Sequence, residues 1–306
     1  MKALRVTGII AIIMAVFSAT PMAFAAQPTV GLGTATPFAI LAGTGITNVP
    51  NSVITGNVGV SPATGAAIVG LTCAEVTGTI YTVDAAGPIC RVVNGPLLVT
   101  AKNDLTAAFI DAAGRTPVTA TPTELGGTIK TTGVYDSNST TFQITAGAGP
   151  LVLDGQGDPD AVFIFEMGAN GTGLTVGPAS TVSLINGASA CNVFWRVDTA
   201  SINTTATFKG TILALNSITV ANGANIEGRL LARNGNVTLD SATVTVPAAC
   251  STTPGGGGTT GVTTPGFPNT GVADVQKSNI SLGLILSAGI LVALSSLYII
   301  RKKRAV

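Results

Sequence analysis

No histidine occurs anywhere in the 306 residues, only 9% of side chains are charged, and aromatics make up 5%. Without imidazole the chain lacks the usual switch of neutral-pH acid–base chemistry and the commonest nitrogen ligand for metals. So small a charge fraction excludes disorder driven by self-repulsion and is unlike a typical cytosolic enzyme. Glycine is abundant instead, at 38 residues, and the long apolar runs are confined to the two ends.

Those ends read as processing segments. Met1–Ala25 has the form of a secretory signal, with Lys2 and Arg5 before the apolar run Ile9–Phe17 and a small-x-small site at Ala23-Phe24-Ala25. A first membrane span does not fit, because the run is short and ends at Pro21. After Cys250 the composition changes abruptly. Residues 251–266 are only Ser, Thr, Pro and Gly with one Val, a flexible linker. Phe267-Pro268-Asn269-Thr270-Gly271 follows, then an apolar segment over 280–300 long enough to span a bilayer, then a basic tail over 301–306. This order resembles a cell-wall sorting signal of the Leu-Pro-x-Thr-Gly type, with Phe267 in place of the leading Leu. The resemblance implies that a sortase-type transpeptidase cleaves between Thr270 and Gly271 and transfers Thr270 to an envelope amine. A plain C-terminal membrane anchor is the alternative, since the span alone suffices for it. Either way the sequence places the protein on the outer face of the cell envelope.

Residues 26–250 are therefore the expected folded domain. Without the signal and everything after Thr270, eight Lys and Arg face thirteen Asp and Glu. That balance argues against nucleic acid or an anionic membrane as ligand. Four cysteines in an exported chain favour two disulfides, for which three pairings exist. The favoured one joins Cys73 to Cys90 across a short loop and Cys191 to Cys250, tying the body to its final strand. The absence of His and of a close Cys-x-x-Cys pair argues against a metal site.

The chain repeats itself at an interval of eighteen. Phe208-Lys209-Gly210-Thr211-Ile212-Leu213-Ala214 is answered by Ile226-Glu227-Gly228-Arg229-Leu230-Leu231-Ala232, and Thr207, Asn225 and Thr243 recur at the same step. Short alternating apolar runs divided by Gly and Asn at a period near twenty signal the stacked coils of a β-solenoid. Ile54, Val58 and Val60 alternate in the same way, and strands return at Val134-Tyr135 and Phe142-Gln143-Ile144. One helix interrupts them over Pro96–Ala113. Leu98, Ala101, Leu105, Ala108, Phe109 and Ala112 form its apolar stripe, and Gly114 is placed to end it in the left-handed conformation.

The segments Val53–Pro62, Asp160–Phe165, Cys191–Trp195, Gly210–Ala214 and Ala232–Gly235 resemble the microbial ice-binding-like proteins, in order, across Leu32 to Cys250. The resemblance implies an all-β solenoid: a right-handed, roughly triangular β-helix with one long helix packed alongside. Many members of that family bind ice, and others have no demonstrated ligand.

Enzymatic readings fare poorly. Without His, the candidate catalytic side chains are Asp198, Lys209, Glu227, Arg229 and Arg233. Lys209, Glu227 and Arg229 are expected at outward strand positions, where Lys209 and Glu227 make a cross-strand ion pair. Arg233, within a segment that carries the resemblance, reads as structural, bonding backbone at a coil corner. Asp154-Gly155-Gln156-Gly157-Asp158-Pro159-Asp160 has carboxylates among glycines, yet it lacks the EF-hand pattern and is composed like an ordinary turn. The expectation is a protein that is no enzyme and uses no cofactor.

A binding reading rests on other residues. Thr205 and Thr207, Asn222 and Asn225, and Ser241 and Thr243 hold equivalent places in successive coils, with Ser180 and Thr181 leading into them. Coils stack about 4.8 Å apart, so these groups are expected to form a ladder on one flat face. Thr suits such a ladder: its χ1 is stiff, its hydroxyl holds a water and its methyl narrows the choices of the next water. A surface that pre-orders water can join an ice crystal through that water. The alternative is a surface adhesin or structural wall protein without ice affinity, because Thr, Ser and Asn are also ordinary solvent-facing residues of strands and turns.

Overall fold

The computed structural model describes residues 27–137, 141–167, 173–247 and 250. The signal, linker, Phe267–Gly271 motif, apolar segment 280–300 and basic tail all lie outside the described residues.

Short strands pair in parallel from coil to coil and build three faces. Face A is a ladder of ten strands, including Phe38–Ala42, Phe163–Glu166 and Val193–Val197. Face B has seven, including Gly173–Val176, Thr199–Ile202, Ile218–Val220 and Asn236–Asp240. Face C begins with Ile129–Lys130, Leu151–Asp154 and Val182–Ile185 and continues through the first halves of Thr207–Ala214 and Asn225–Ala232. Those two long strands cross from face C to face A at Gly210 and Gly228, whose φ angles are +110° and +153°. A Cβ on Gly228 would lie 1.9 Å from the Gly210 carbonyl oxygen, so only glycine lets successive corners stack this closely. The repeated glycines of the sequence are thus corner residues.

The coils are not stacked in chain order. The first strand, Phe38–Ala42, is inserted between Asn225–Ala232, from near the end of the chain, and Asn57–Val60. The coils then run outward to Val92–Val93 at one end of the stack. The helix Gly95–Ala113 carries the chain back along face A, and the remaining coils wind from Val118–Thr121 toward the first one. Nineteen helical residues extend about 28 Å, against roughly 43 Å for the ten-strand ladder.

All six stripe residues of the helix are buried. They pack on the outward side chains of face A, among them Phe38, Ile164, Phe194, Leu213 and Leu231. Asn94 caps the helix by accepting the Leu97 N–H at 3.1 Å. Gly114 ends it, but with φ −93° and ψ 0° rather than left-handed; its N–H bonds to the carbonyls of Ile110 and Asp111, closing the last turn without a reversal. Lys102 pins the helix to a coil corner through the carbonyls of Ala232 and Arg233, at 2.7 and 2.5 Å. Both favoured disulfides are present, Cys73–Cys90 and Cys191–Cys250.

Candidate functional site: the uncovered faces

The helix covers much of face A, whereas faces B and C have no helix over them among the described residues. On face B, Leu174, Val176, Ala200, Ile202, Ile218 and Val220 point into the core, so their neighbours point outward. Gln143, Thr175, Ser201, Thr219, Thr238, Thr47 and Val69 are successive register partners and form one column. A second column runs through Thr141, Gly173 and Thr199, with Ser217 and Asn236 at the corresponding places on the next coils. Rows are about 4.8 Å apart across the strands and roughly 6.7 Å along them. The residues named in the two columns are uncharged; beyond Gln143 the first column meets Glu124, the bridge partner of Gln143. Asp240 ends its strand at the corner with face C, where the Asn222 amide donates to it. Asn236 donates to the Thr238 hydroxyl at 3.0 Å, which fixes that hydroxyl's orientation.

The eight ladder residues expected from the sequence divide at this corner. Thr181, Thr207, Asn225 and Thr243 do form a straight column, on face C, continued by the half-exposed Val53. Thr205, Asn222 and Ser241 lie instead on the turn between faces B and C. Thr205 and Ser241 there adopt left-handed conformations, with φ of +57° and +44°. Their hydroxyls donate to the carbonyls of Thr204 and Pro50. Ser180 is buried, its hydroxyl bonded to the Ile144 carbonyl at 3.0 Å. The eight are therefore divided between face C, the turn beside it and the interior, and do not form one flat face. Sequence reasoning passed over the face-B hydroxyls; their alternation with apolar residues was the signal that could have found them.

The charged candidates are dispersed. Lys209 and Glu227 form the expected ion pair on face C, beside the Thr207 column. Asp198 accepts from the Asn216 amide at 2.6 Å at the opposite corner. Arg229, expected outward, is only 1% exposed. It does leave the coil on the outer side, but the N-terminal segment and Cys250 cover it; it donates to the carbonyls of Thr36 and Cys250 and to the Thr211 hydroxyl. Burial holds its pKa down to about 10. Arg233 does not bond backbone through its side chain: it donates to the Thr106 hydroxyl and lies over the Phe109 ring, because the helix passes directly over that corner. The carboxylates of Asp154 and Asp158 each accept a backbone N–H of their own turn. No groove gathers an acid and a base among these groups.

The ice-binding-like family profile matches residues 40–245. An ice-binding protein of Flavobacterium frigoris is 41% identical over 222 residues, covering 71% of this chain and 76% of that protein. The crystal structure of an ice-binding protein from an Antarctic biological consortium aligns with a TM-score of 0.65 and 35% identity, over 76% of this chain and 98% of that one. The ice-binding protein 1 domain of Shewanella frigidimarina aligns with a TM-score of 0.64 and 31% identity, over 72% and 98%. These relatives are not enzymes but ice-binding proteins of β-helix fold, and the chain belongs to the ice-binding-like family.

Proposed function

We propose that this protein binds ice through face B and is held on the outer face of the cell envelope by its C-terminal segment. The observation that carries the first half is the pair of outward columns of face B, uncharged from Gln143 to Val69 and from Thr141 to Asn236, rich in Thr and Ser and left uncovered by the helix. A β-sheet face repeats its groups on a fixed two-dimensional grid. β-Branched threonines keep that grid stiff, so little ordering remains to be done when the water above them joins a crystal. The column Thr181–Thr207–Asn225–Thr243 is the competing surface. It is one residue wide and flanked by the Lys209–Glu227 ion pair, whose charges orient water around themselves.

Attachment is inferred from the sequence order of linker, Phe267–Gly271 motif, apolar segment and basic tail. A tethered ice binder holds a cell at ice, whereas a free one restrains crystal growth. Thermal hysteresis and recrystallisation inhibition by the purified 27–250 fragment test the ice reading. A fragment with neither activity leaves an adhesin or wall protein as the function.

A further inference from the structure

A tether must pull on the domain somewhere, and the geometry of the chain's exit decides where. The last strand, Thr243–Thr245, has three register pairs with Asn225–Glu227 and three with Val53–Thr55. Pulled directly, so short a strand has few hydrogen bonds to resist with. Soon after it, Cys250 is joined to Cys191. Cys191 belongs to the single turn Ala190–Asn192, which leads straight into the strand Val193–Val197. That strand is held by four register pairs on each side, to Phe163–Glu166 and to Thr211–Ala214. It also carries Trp195, fully buried against Phe165 and Phe208. Cys250 is fixed a second time, because the buried Arg229 donates to its carbonyl while also holding Thr36.

We propose that the Cys191–Cys250 disulfide is a load path, an inference that rests on the reading that the chain is tethered through its C-terminal end. Tension arriving from residues 251–266 passes through the sulfur–sulfur bond into Val193–Val197, in the interior of the face-A ladder. It bypasses Thr243–Thr245 and the chain between the two cysteines. Arg229 positions the Cys250 end of the bond against the body. Cys73–Cys90 lies in the end coils, off this path.

Force spectroscopy tests this on the full chain in detergent, held by its C-terminal tail and a handle at the N-terminus of the exported form. The parent should resist until its main unfolding event. The variant Cys191→Ser/Cys250→Ser should first release the final strand, at about half that force or less, because forced opening follows the local unfolding barrier. Its full extension should exceed the parent's by roughly 200 Å, since 59 residues are no longer bridged. Cys73→Ser/Cys90→Ser should keep the parent's first-event force. If the first variant does not fold, a pulse of reductant on the held Cys73→Ser/Cys90→Ser variant, which keeps Cys191–Cys250 as its one disulfide, makes the same comparison. An unchanged first-event force after loss of Cys191–Cys250 overturns the load path, whatever the cell does with the tail. A force drop in a protein that proves to be unattached in cells leaves the path intact and removes only the tether.

Discussion

Trp195 lies face to face on Phe165, ring centroids 4.1 Å apart and planes 10° from parallel, and the two are register partners on adjacent coils. Tyr135 extends the stack beneath Phe165 at 5.3 Å, and Phe208 follows Trp195 at 5.2 Å. The Trp195 indole N–H donates to the Lys209 carbonyl at 3.1 Å, so the single tryptophan is buried without stranding its polar atom. In-register pairing forces like positions to stack, and a column of rings fills the width of the coil where aliphatic side chains fill it elsewhere.

Trp195→Ala should therefore destabilise the domain by about 3–5 kcal/mol, the usual scale for emptying an aromatic core site. Equilibrium urea unfolding measures it. A loss below about 1 kcal/mol would mean that the stack is incidental to stability.

Glu166 should make the domain less stable as pH rises from about 4.5 to 7. It is 9% exposed, and burial raises its carboxyl to about 7; Arg196 opposes the shift and Asp136 adds to it. In the unfolded chain the group titrates near 4.5, so across this window the folded state holds a proton that the unfolded state has lost. The melting temperature should fall by a few degrees, roughly, over that interval, and Glu166→Gln should remove most of the slope. Parent and variant melting curves that run parallel across the window would contradict the assignment.

Glu75 should behave in the opposite sense. Burial raises its pKa, but donors from Thr72, Asn48 and Ser52 outweigh that and hold it below the usual carboxylate value. The same carboxylate also accepts the Asn51 N–H, and it clamps an end coil to its neighbour. Its contribution is present above the ordinary carboxylate pKa and is lost as pH falls through the lowered one. Glu75→Ala should cost about 2 kcal/mol at neutral pH, the scale of a charged hydrogen-bond acceptor. Its difference from the parent should shrink in acid, and a difference constant down to pH 3 would sink the clamp.

Envelope attachment has its own test. Mass spectrometry of wall digests should find a fragment ending at Thr270 and carrying an envelope amine, and Thr270→Ala should move the protein to the detergent-soluble membrane fraction. Envelope protein with an intact C-terminus would favour the plain membrane anchor.

How far the sequence could be read follows from which features are local. The helix stripe was legible residue by residue, because all six buried positions recur at three- and four-residue steps. The corner glycines were visible through the strict eighteen-residue repeat of Gly210 and Gly228. The insertion of Phe38–Ala42 beside Asn225–Ala232 left no local trace, because parallel pairing between distant segments imposes no spacing on either. The same holds for Arg229, covered by Thr36 and Cys250 from far along the chain. The choice of face was obscured for a related reason. Thr207, Asn225 and Thr243 are evenly spaced and so stood out, whereas the face-B partners Thr175, Ser201, Thr219 and Thr238 are 26, 18 and 19 residues apart. Unequal corner loops hide a column that is straight in space.

The most direct test of the face is a pair of tyrosine substitutions read by thermal hysteresis and crystal shape. Thr219 is exposed on face B between Ser201 and Thr238, and Thr207 lies on face C between Thr181 and Asn225. A ring at either site disturbs folding little, by about 0.5 kcal/mol or less. Thr219→Tyr should abolish the hysteresis and faceting of the 27–250 fragment, and Thr207→Tyr should leave both as in the parent. Loss with Thr207→Tyr and retention with Thr219→Tyr would contradict the account and move the ice-binding surface to face C.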